Sequence, residues 1–186
     1  MDIIKVNIKL GGYPVNKRLI YIILLSIIWF TIPSNAFAED QLDIKAKSAL
    51  LMDYHTGEII YEKNPHEKLP PASISKIMTL LLGMEALETG KINLSDEVRI
   101  SAYAAGMGGS QLWLEEGETQ TVEDLFKSIT IRSANDASVA LAEYIAGSEE
   151  VFVRMMNEKA KALGMNNTNF VNASGLPNEN HYVSAY

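Results

Sequence analysis

Apolar and polar positions alternate along the chain in blocks that predict its elements. Residues 49–52 (Ala-Leu-Leu-Met) and 59–61 (Ile-Ile-Tyr) flank the polar stretch Asp53-Tyr54-His55-Thr56-Gly57-Glu58. Two short apolar runs around a turn glycine predict a β-hairpin within residues 45–64. Residues 64–71 are polar with two prolines, a loop. Then Ile77, Met78, Leu80, Leu81, Leu82, Met84 and Leu87 crowd one segment. Apolar residues on nearly every side predict a helix buried all round. Pro70-Pro71 bars helix upstream, so it begins near Ser73; it stops near Glu88, with Gly90 as breaker.

Beyond that helix, residues 94–101 look extended, 105–110 form a glycine-rich loop, 111–114 a short apolar segment and 116–118 a turn. A helix beginning at 121–124 carries Val122, Leu125, Phe126 and Ile129, with Glu123 and Asp124 favouring its positive end. Residues 131–136 predict a break, 137–146 a helix ended by Gly147, and Ser148 the cap of another that carries Val151, Phe152, Met155, Met156 and Ala160. Gly164 closes it, and residues 165–186, rich in Asn, Gly and Ser, read as loop.

The N-terminus carries an address. Lys17-Arg18 precede an apolar core at residues 19–30, and Ala36-Phe37-Ala38 follows. Positive head, short apolar core and small-x-small end predict a secretory signal in residues 1–38, cleaved after Ala38. An uncleaved anchor is the alternative. The mature part, 39–186, is one domain's worth of chain and is exported. Residues 1–38 carry Lys5, Lys9, Lys17 and Arg18 against Asp2, a charge of +3, so the −7 of the whole chain becomes −10 without them. An acidic exported domain argues against nucleic-acid binding. With no cysteine there is neither disulfide nor thiolate metal site, and His55, His66 and His181 show no metal-ligand spacing.

Two motifs carry chemistry. Ser73 and Lys76 share the first turn and one face of the apolar helix. A capping role for Ser73 would suit Glu or Gln three residues on. Lysine there faces the positive helix end, an unfavourable place unless a neutral amine is wanted. An amine one turn from a hydroxyl is a general base beside a nucleophile. The second motif is Ser133-Ala134-Asn135. Taken alone, helix capping is the stronger explanation of it, yet a second hydroxyl can relay a proton and a carboxamide can hold the amine or a substrate carbonyl. The loop Gly106-Met107-Gly108-Gly109-Ser110 lacks the Gly-Lys-Ser/Thr ending of a phosphate cradle.

Ser73-x-x-Lys76 followed by Ser133-x-Asn135 resembles the penicillin-recognising serine peptidases. Asp53-x-x-Thr56-Gly57, Gly108-Gly109-Ser110, and Ser174-Gly175-Leu176-Pro177 through His181-Tyr182 follow in family order. Together, over residues 45–186, they resemble a low-molecular-weight penicillin-binding protein of the serine-type D-alanyl-D-alanine carboxypeptidase family. The resemblance implies an α+β, β-lactamase/transpeptidase-like fold. It implies that Ser73 forms an acyl-enzyme on the terminal D-Ala-D-Ala bond of a peptidoglycan stem peptide. Lys76 takes its proton, Ser133 relays it, Asn135 positions substrate, and the Ser73 N–H is one oxyanion donor. β-Lactams acylate the same serine, no cofactor or metal takes part, and the protein works outside the cytoplasmic membrane.

The family's third motif, Lys-Thr/Ser-Gly, does not follow the second here. Thr89-Gly90-Lys91 has the wrong order and His55-Thr56-Gly57 precedes the nucleophile. The expectation is therefore a truncated form: N-terminal hairpin and helical region present, C-terminal sheet strands missing, and activity of the isolated chain impaired. One lost oxyanion donor alone costs about 10²–10³ in turnover. Two rivals remain. A β-lactamase would need a deacylating Glu, and the only acid in the tail, Glu179, stands in Glu179-Asn180-His181-Tyr182, not Glu-x-x-Leu-Asn. A non-catalytic penicillin- or wall-binding module is the other.

Overall fold

The computed structural model describes residues 44–186 and the dipeptides Lys9–Leu10 (β1) and Tyr13–Pro14 (β2), which pair antiparallel. These dipeptides belong to a separate unit from residues 45–186. The apolar core at 19–30 and the cleavage site at 36–38 lie outside the described residues.

In the larger unit, β3 (Ala49–Met52) and β4 (Ile59–Lys63) pair antiparallel as the expected hairpin. Its turn is pinned by Asp53, whose Oδ1 accepts from the Thr56 N–H at 2.7 Å and the Thr56 hydroxyl at 2.8 Å. These bonds hold the Asp53 carboxyl below its ordinary pKa. A second hairpin pairs β5 (Glu97–Arg99) with β6 (Thr119–Thr121). The sequence pattern gave β5 but not β6, whose Thr-Gln-Thr carries no apolar alternation. A short helix, α2 (Ala102–Ala105), was also missed; Ser101 caps it by accepting from the Ala104 N–H.

The helical layer forms around α1 (Lys76–Glu88), α3 (Val122–Arg132), α4 (Asn135–Ala146) and α5 (Glu149–Ala162). The predicted cap Ser148 accepts from Val151 N–H, and the helix expected to begin at 121–124 is capped by Thr121, which accepts from Asp124 N–H. The expected break at 131–136 is narrower than predicted. Only Ser133 and Ala134 leave the helix, and Asn135 already opens α4. The core lies where α4 packs on α1, α3 and α5, with Phe152, Leu125, Leu141, Met156, Val122 and Val139 fully buried.

One prediction fails here. The apolar segment is not buried all round. Met78, Leu82 and Ala86 are buried, whereas Ile74, Ile77 and Met84 are 63%, 67% and 56% exposed. The neighbouring helices cover one side of α1 only, and an apolar run cannot say on how many sides it is covered. The segment also does not begin as α-helix. Residues Ala72–Ser75 form a 3-10 turn that leads into α1 at Lys76.

Among the described residues, no helix is long and apolar enough to cross a membrane. Replacing the fully buried Phe152 by alanine removes a ring and leaves a cavity. Urea unfolding should show a loss of about 3–5 kcal/mol; a loss below 1 kcal/mol would contradict this placement of the core.

Candidate active site

The site begins where Pro70-Pro71 stops any helix. Ala72 takes a left-handed backbone, φ 49, and the chain then tightens into the 3-10 turn. That turn puts Ser73 at the surface and Ser75 and Lys76 inside. Ser73 does not cap the helix. Its hydroxyl lies 3.3 Å from Lys76 Nζ, as the spacing of three residues predicted.

Lys76 is 3% exposed. Its amine donates to Asn135 Oδ1 at 2.7 Å and to the Ser174 carbonyl at 2.6 Å. Burial is the whole cause of its perturbed acidity and pushes its pKa down from 10.5 to about 8. The three neighbours suit both protonation states. An ammonium donates to all three; a neutral amine keeps the two short bonds and turns its lone pair toward the Ser73 hydroxyl.

Asn135 reaches this point from the first turn of α4. Its Nδ2 donates to the Gly108 carbonyl at 2.6 Å, and its backbone N–H donates to the Ser110 carbonyl at 2.7 Å. With Nδ2 committed to a carbonyl, Oδ1 faces Lys76. Gly109 makes the close approach possible: with φ +78, a Cβ there would stand 2.8 Å from Asn135 Nδ2. The loop at 106–110 therefore braces the amide. Ser133 ends α3 with a left-handed backbone, φ 55. Its Oγ is buried and has no hydrogen-bond partner among the described residues, so the structure brings Ser73, Lys76 and Asn135 into contact but leaves Ser133 outside that network.

The tail supplies what the sequence assigned to no role. Asn172 Oδ1 accepts from the N–H groups of Ser174, Gly175 and Leu176 and folds the tail into a tight turn. Glu149 Oε1, at the head of α5, accepts from Ala173 N–H at 2.8 Å. The same carboxylate accepts from Tyr103, pushing that phenol up to about 12. The turn then meets the nucleophile's helix at three places. Thr79 Oγ1 donates to the Ala173 carbonyl at 2.6 Å, Lys76 to the Ser174 carbonyl, and Ser75 Oγ lies 2.7 Å from His181 Nε2. His181 Nδ1 accepts from Val171 N–H at 3.4 Å, which puts the ring proton on Nε2, donating to Ser75. Burial lowers the His181 pKa, so the neutral ring this latch requires is favoured. Little in the sequence marked this latch beyond the presence of His181 in the family-like tail.

Solved structures similar to this one include D-alanyl-D-alanine carboxypeptidases and penicillin-binding proteins. The D-alanyl-D-alanine carboxypeptidase DacD from Francisella tularensis superposes with a TM-score of 0.75 at 39% identity, covering 78% of this chain and 35% of that one. Penicillin-binding protein D2 from Listeria monocytogenes in its ampicillin-bound form gives a TM-score of 0.68 at 30% identity, covering 77% of this chain and 58% of its own. The α+β, transpeptidase-like fold is thus established. The sequence matches Peptidase_S11, the D-alanyl-D-alanine carboxypeptidase family, over residues 35–186, and the chain belongs to it. It is 53% identical to the D-alanyl-D-alanine carboxypeptidase DacF of Bacillus subtilis over 176 residues, 91% of this chain and 45% of that protein. Against DacC of Escherichia coli it is 40% identical over 86% of this chain and 42% of that one. The chain therefore spans less than half the length of these relatives.

Gly175 decides how closely the tail can approach. At φ +81, a Cβ on it would stand 1.9 Å from the Ala72 carbonyl oxygen, which is backbone and cannot yield. Gly175→Ala should displace residues 173–175, break the Lys76–Ser174 bond and cost at least about 1–3 kcal/mol. Thermal unfolding at neutral pH tests this, and an unchanged midpoint would refute the contact.

Proposed function

We propose that this chain carries the acylation half of a serine-type D-Ala-D-Ala carboxypeptidase site, acting on peptidoglycan stem peptides. The observation that supports it most is the buried Lys76 amine, with its pKa near 8, one hydrogen bond from an exposed serine hydroxyl. Ser73 Oγ attacks the carbonyl carbon of the terminal D-Ala-D-Ala bond as Lys76 Nζ takes its proton. The C–N bond breaks, and the departing D-alanine amine receives a proton from Lys76. Ser133, whose Oγ is buried with no hydrogen-bond partner among the described residues, is the relay for that transfer, as the family resemblance implies. Water then attacks the Ser73 ester, restoring the serine and releasing the shortened peptide.

Asn135 has two tasks in this scheme. Its Oδ1 holds Lys76, and its amide, which has hydrogen-bonding capacity beyond the bonds to Lys76 and Gly108, positions substrate. The Ser73 N–H, on the first turn, supplies one oxyanion donor. A β-lactam enters as substrate does and leaves a penicilloyl ester on Ser73. Residues 1–38 act as the export signal and residues 39–186 as the N-terminal part of the catalytic domain. The reaction then takes place on the wall side of the cytoplasmic membrane, where it trims peptidoglycan and influences cell shape.

The test is intact-protein mass spectrometry after prolonged incubation with benzylpenicillin. The chain should gain one penicilloyl mass, stable for many minutes and located on the peptide containing Ser73, and Ser73→Ala should gain none. An adduct elsewhere, or none, would sink the proposal; fast turnover of the drug would favour a β-lactamase. The rate of adduct formation carries a pH signature. The base is neutral Lys76, so the rate should rise about tenfold per pH unit below pH 8 and level off above it. A flat profile between pH 6 and 8 would remove Lys76 as the base.

A further inference from the structure

A pocket of about 420 Å3 opens beside this site, lined by Gly109, Ser110, Gln111, Trp113, Ile131 and Arg132. It is joined to the nucleophile by an unbroken chain of bonds. Ser73 touches Lys76, Lys76 touches Asn135, and Asn135 N–H holds the Ser110 carbonyl.

One wall is built around a buried charge. Asp136 is fully buried, and its carboxylate accepts from the backbone N–H groups of Leu112 and Leu114. Trp113 stands between them with a left-handed backbone, φ 63, and is 78% exposed. Left-handed backbone costs a non-glycine residue about 1–2 kcal/mol, and it persists here because it is clamped on both sides. The clamp seats Leu114 in the core, caps the head of α4 through the Ala137 N–H, and leaves the indole between its two bonds out in water. The facing wall ends in Arg132, the last residue of α3. Its side chain is exposed and joins no hydrogen bond or ion pair among the described residues, whereas Lys127, Arg154 and Lys159 each hold a glutamate. Other cations such as Lys91 and Lys161 also lack an ion pair among the described residues; what distinguishes Arg132 is that its guanidinium stands at the lining of a polar pocket in a chain of net charge −7.

We propose that this pocket is a subsite for the acyl side of the substrate, the residues upstream of the bond cut. In it Arg132 takes a side-chain carboxylate of the peptide and Trp113 covers the adjoining apolar segment. The guanidinium fork matches a carboxylate in two bonds, while the Ser110 hydroxyl and Gln111 amide suit peptide groups. A pocket of this volume suits a side chain together with its backbone. The direction of the peptide rests on the reading of Ser73 as the nucleophile.

The experiment compares two acetylated peptides ending in D-Ala-D-Ala, alike except that the residue before that dipeptide bears a side-chain carboxylate or its amide. Binding is measured by calorimetry to the chain carrying Ser73→Ala, so that nothing is consumed. With Arg132 intact, the carboxylate peptide should bind five- to tenfold more tightly, and added salt should shrink the difference. Arg132→Gln should bring the two within twofold, Arg132→Lys should restore part of the preference, and Trp113→Ala should weaken both peptides alike. Circular dichroism of each variant checks that it folds. Equal affinities with Arg132 present, a preference that survives Arg132→Gln, or no binding of either peptide at millimolar concentration would overturn the subsite. The penicillin adduct is read on a separate sample with Ser73 present. An adduct without charge preference removes the subsite alone; a charge preference without an adduct removes the peptidase reading alone.

Discussion

The hydrogen bonds around one buried amine organise the larger unit. Lys76 Nζ joins three segments far apart in sequence: the nucleophile's turn through Ser73, the head of α4 through Asn135, and the tail through Ser174. Two of the three acceptors are neutral carbonyl oxygens, so the amine is taken out of water and given no counter-charge. A lysine in that position has its charged form penalised. With a pKa near 8, about a tenth of it is neutral at pH 7, against less than about one part in a thousand for an ordinary lysine. That difference of more than a hundredfold in available base is what the burial supplies to a reaction at Ser73.

The cost of that arrangement is visible in the backbone. Ala72 and Ser133 both hold left-handed conformations beside the site, and Gly175 is pressed against the Ala72 carbonyl where no side chain fits. Such positions persist only when surrounding bonds over-determine them. Here the bonds are identifiable. Asn172 folds the tail turn, Glu149 anchors it to α5, and His181 and Thr79 fasten it to the first turns of the nucleophile's helix. The His181 latch works only with a neutral ring, because Nδ1 must accept from Val171 while Nε2 donates to Ser75.

The parts of this site that were legible in the sequence are those encoded locally. Ser73 and Lys76 are one turn apart, so their contact follows from helical geometry once Pro70-Pro71 fixes where the turn begins. The hairpin, the helix start at 121–124, the cap at Ser148 and the stops at Gly147 and Gly164 are likewise short-range signals. Asn135 could be singled out by its residue type, but not its bond to Lys76, which spans 59 positions. The Ser174 carbonyl is a backbone group and leaves no trace in residue identity. Asp136 read as a helix-start residue, whereas it also clamps residues 112–114 from within the core. The one-sided exposure of Ile74, Ile77 and Met84 was hidden for a different reason: an apolar pattern records that a face avoids water, not what covers it.

The claim on which everything else rests is that Lys76 is held uncharged to a useful degree by burial. Carbon-13 labelling of lysine Cε, with Lys76→Met to assign its signal, allows its titration to be followed directly by nuclear magnetic resonance. The account predicts a midpoint near pH 8, well below the ordinary lysine value of 10.5. A midpoint close to the ordinary lysine value of 10.5 would contradict it.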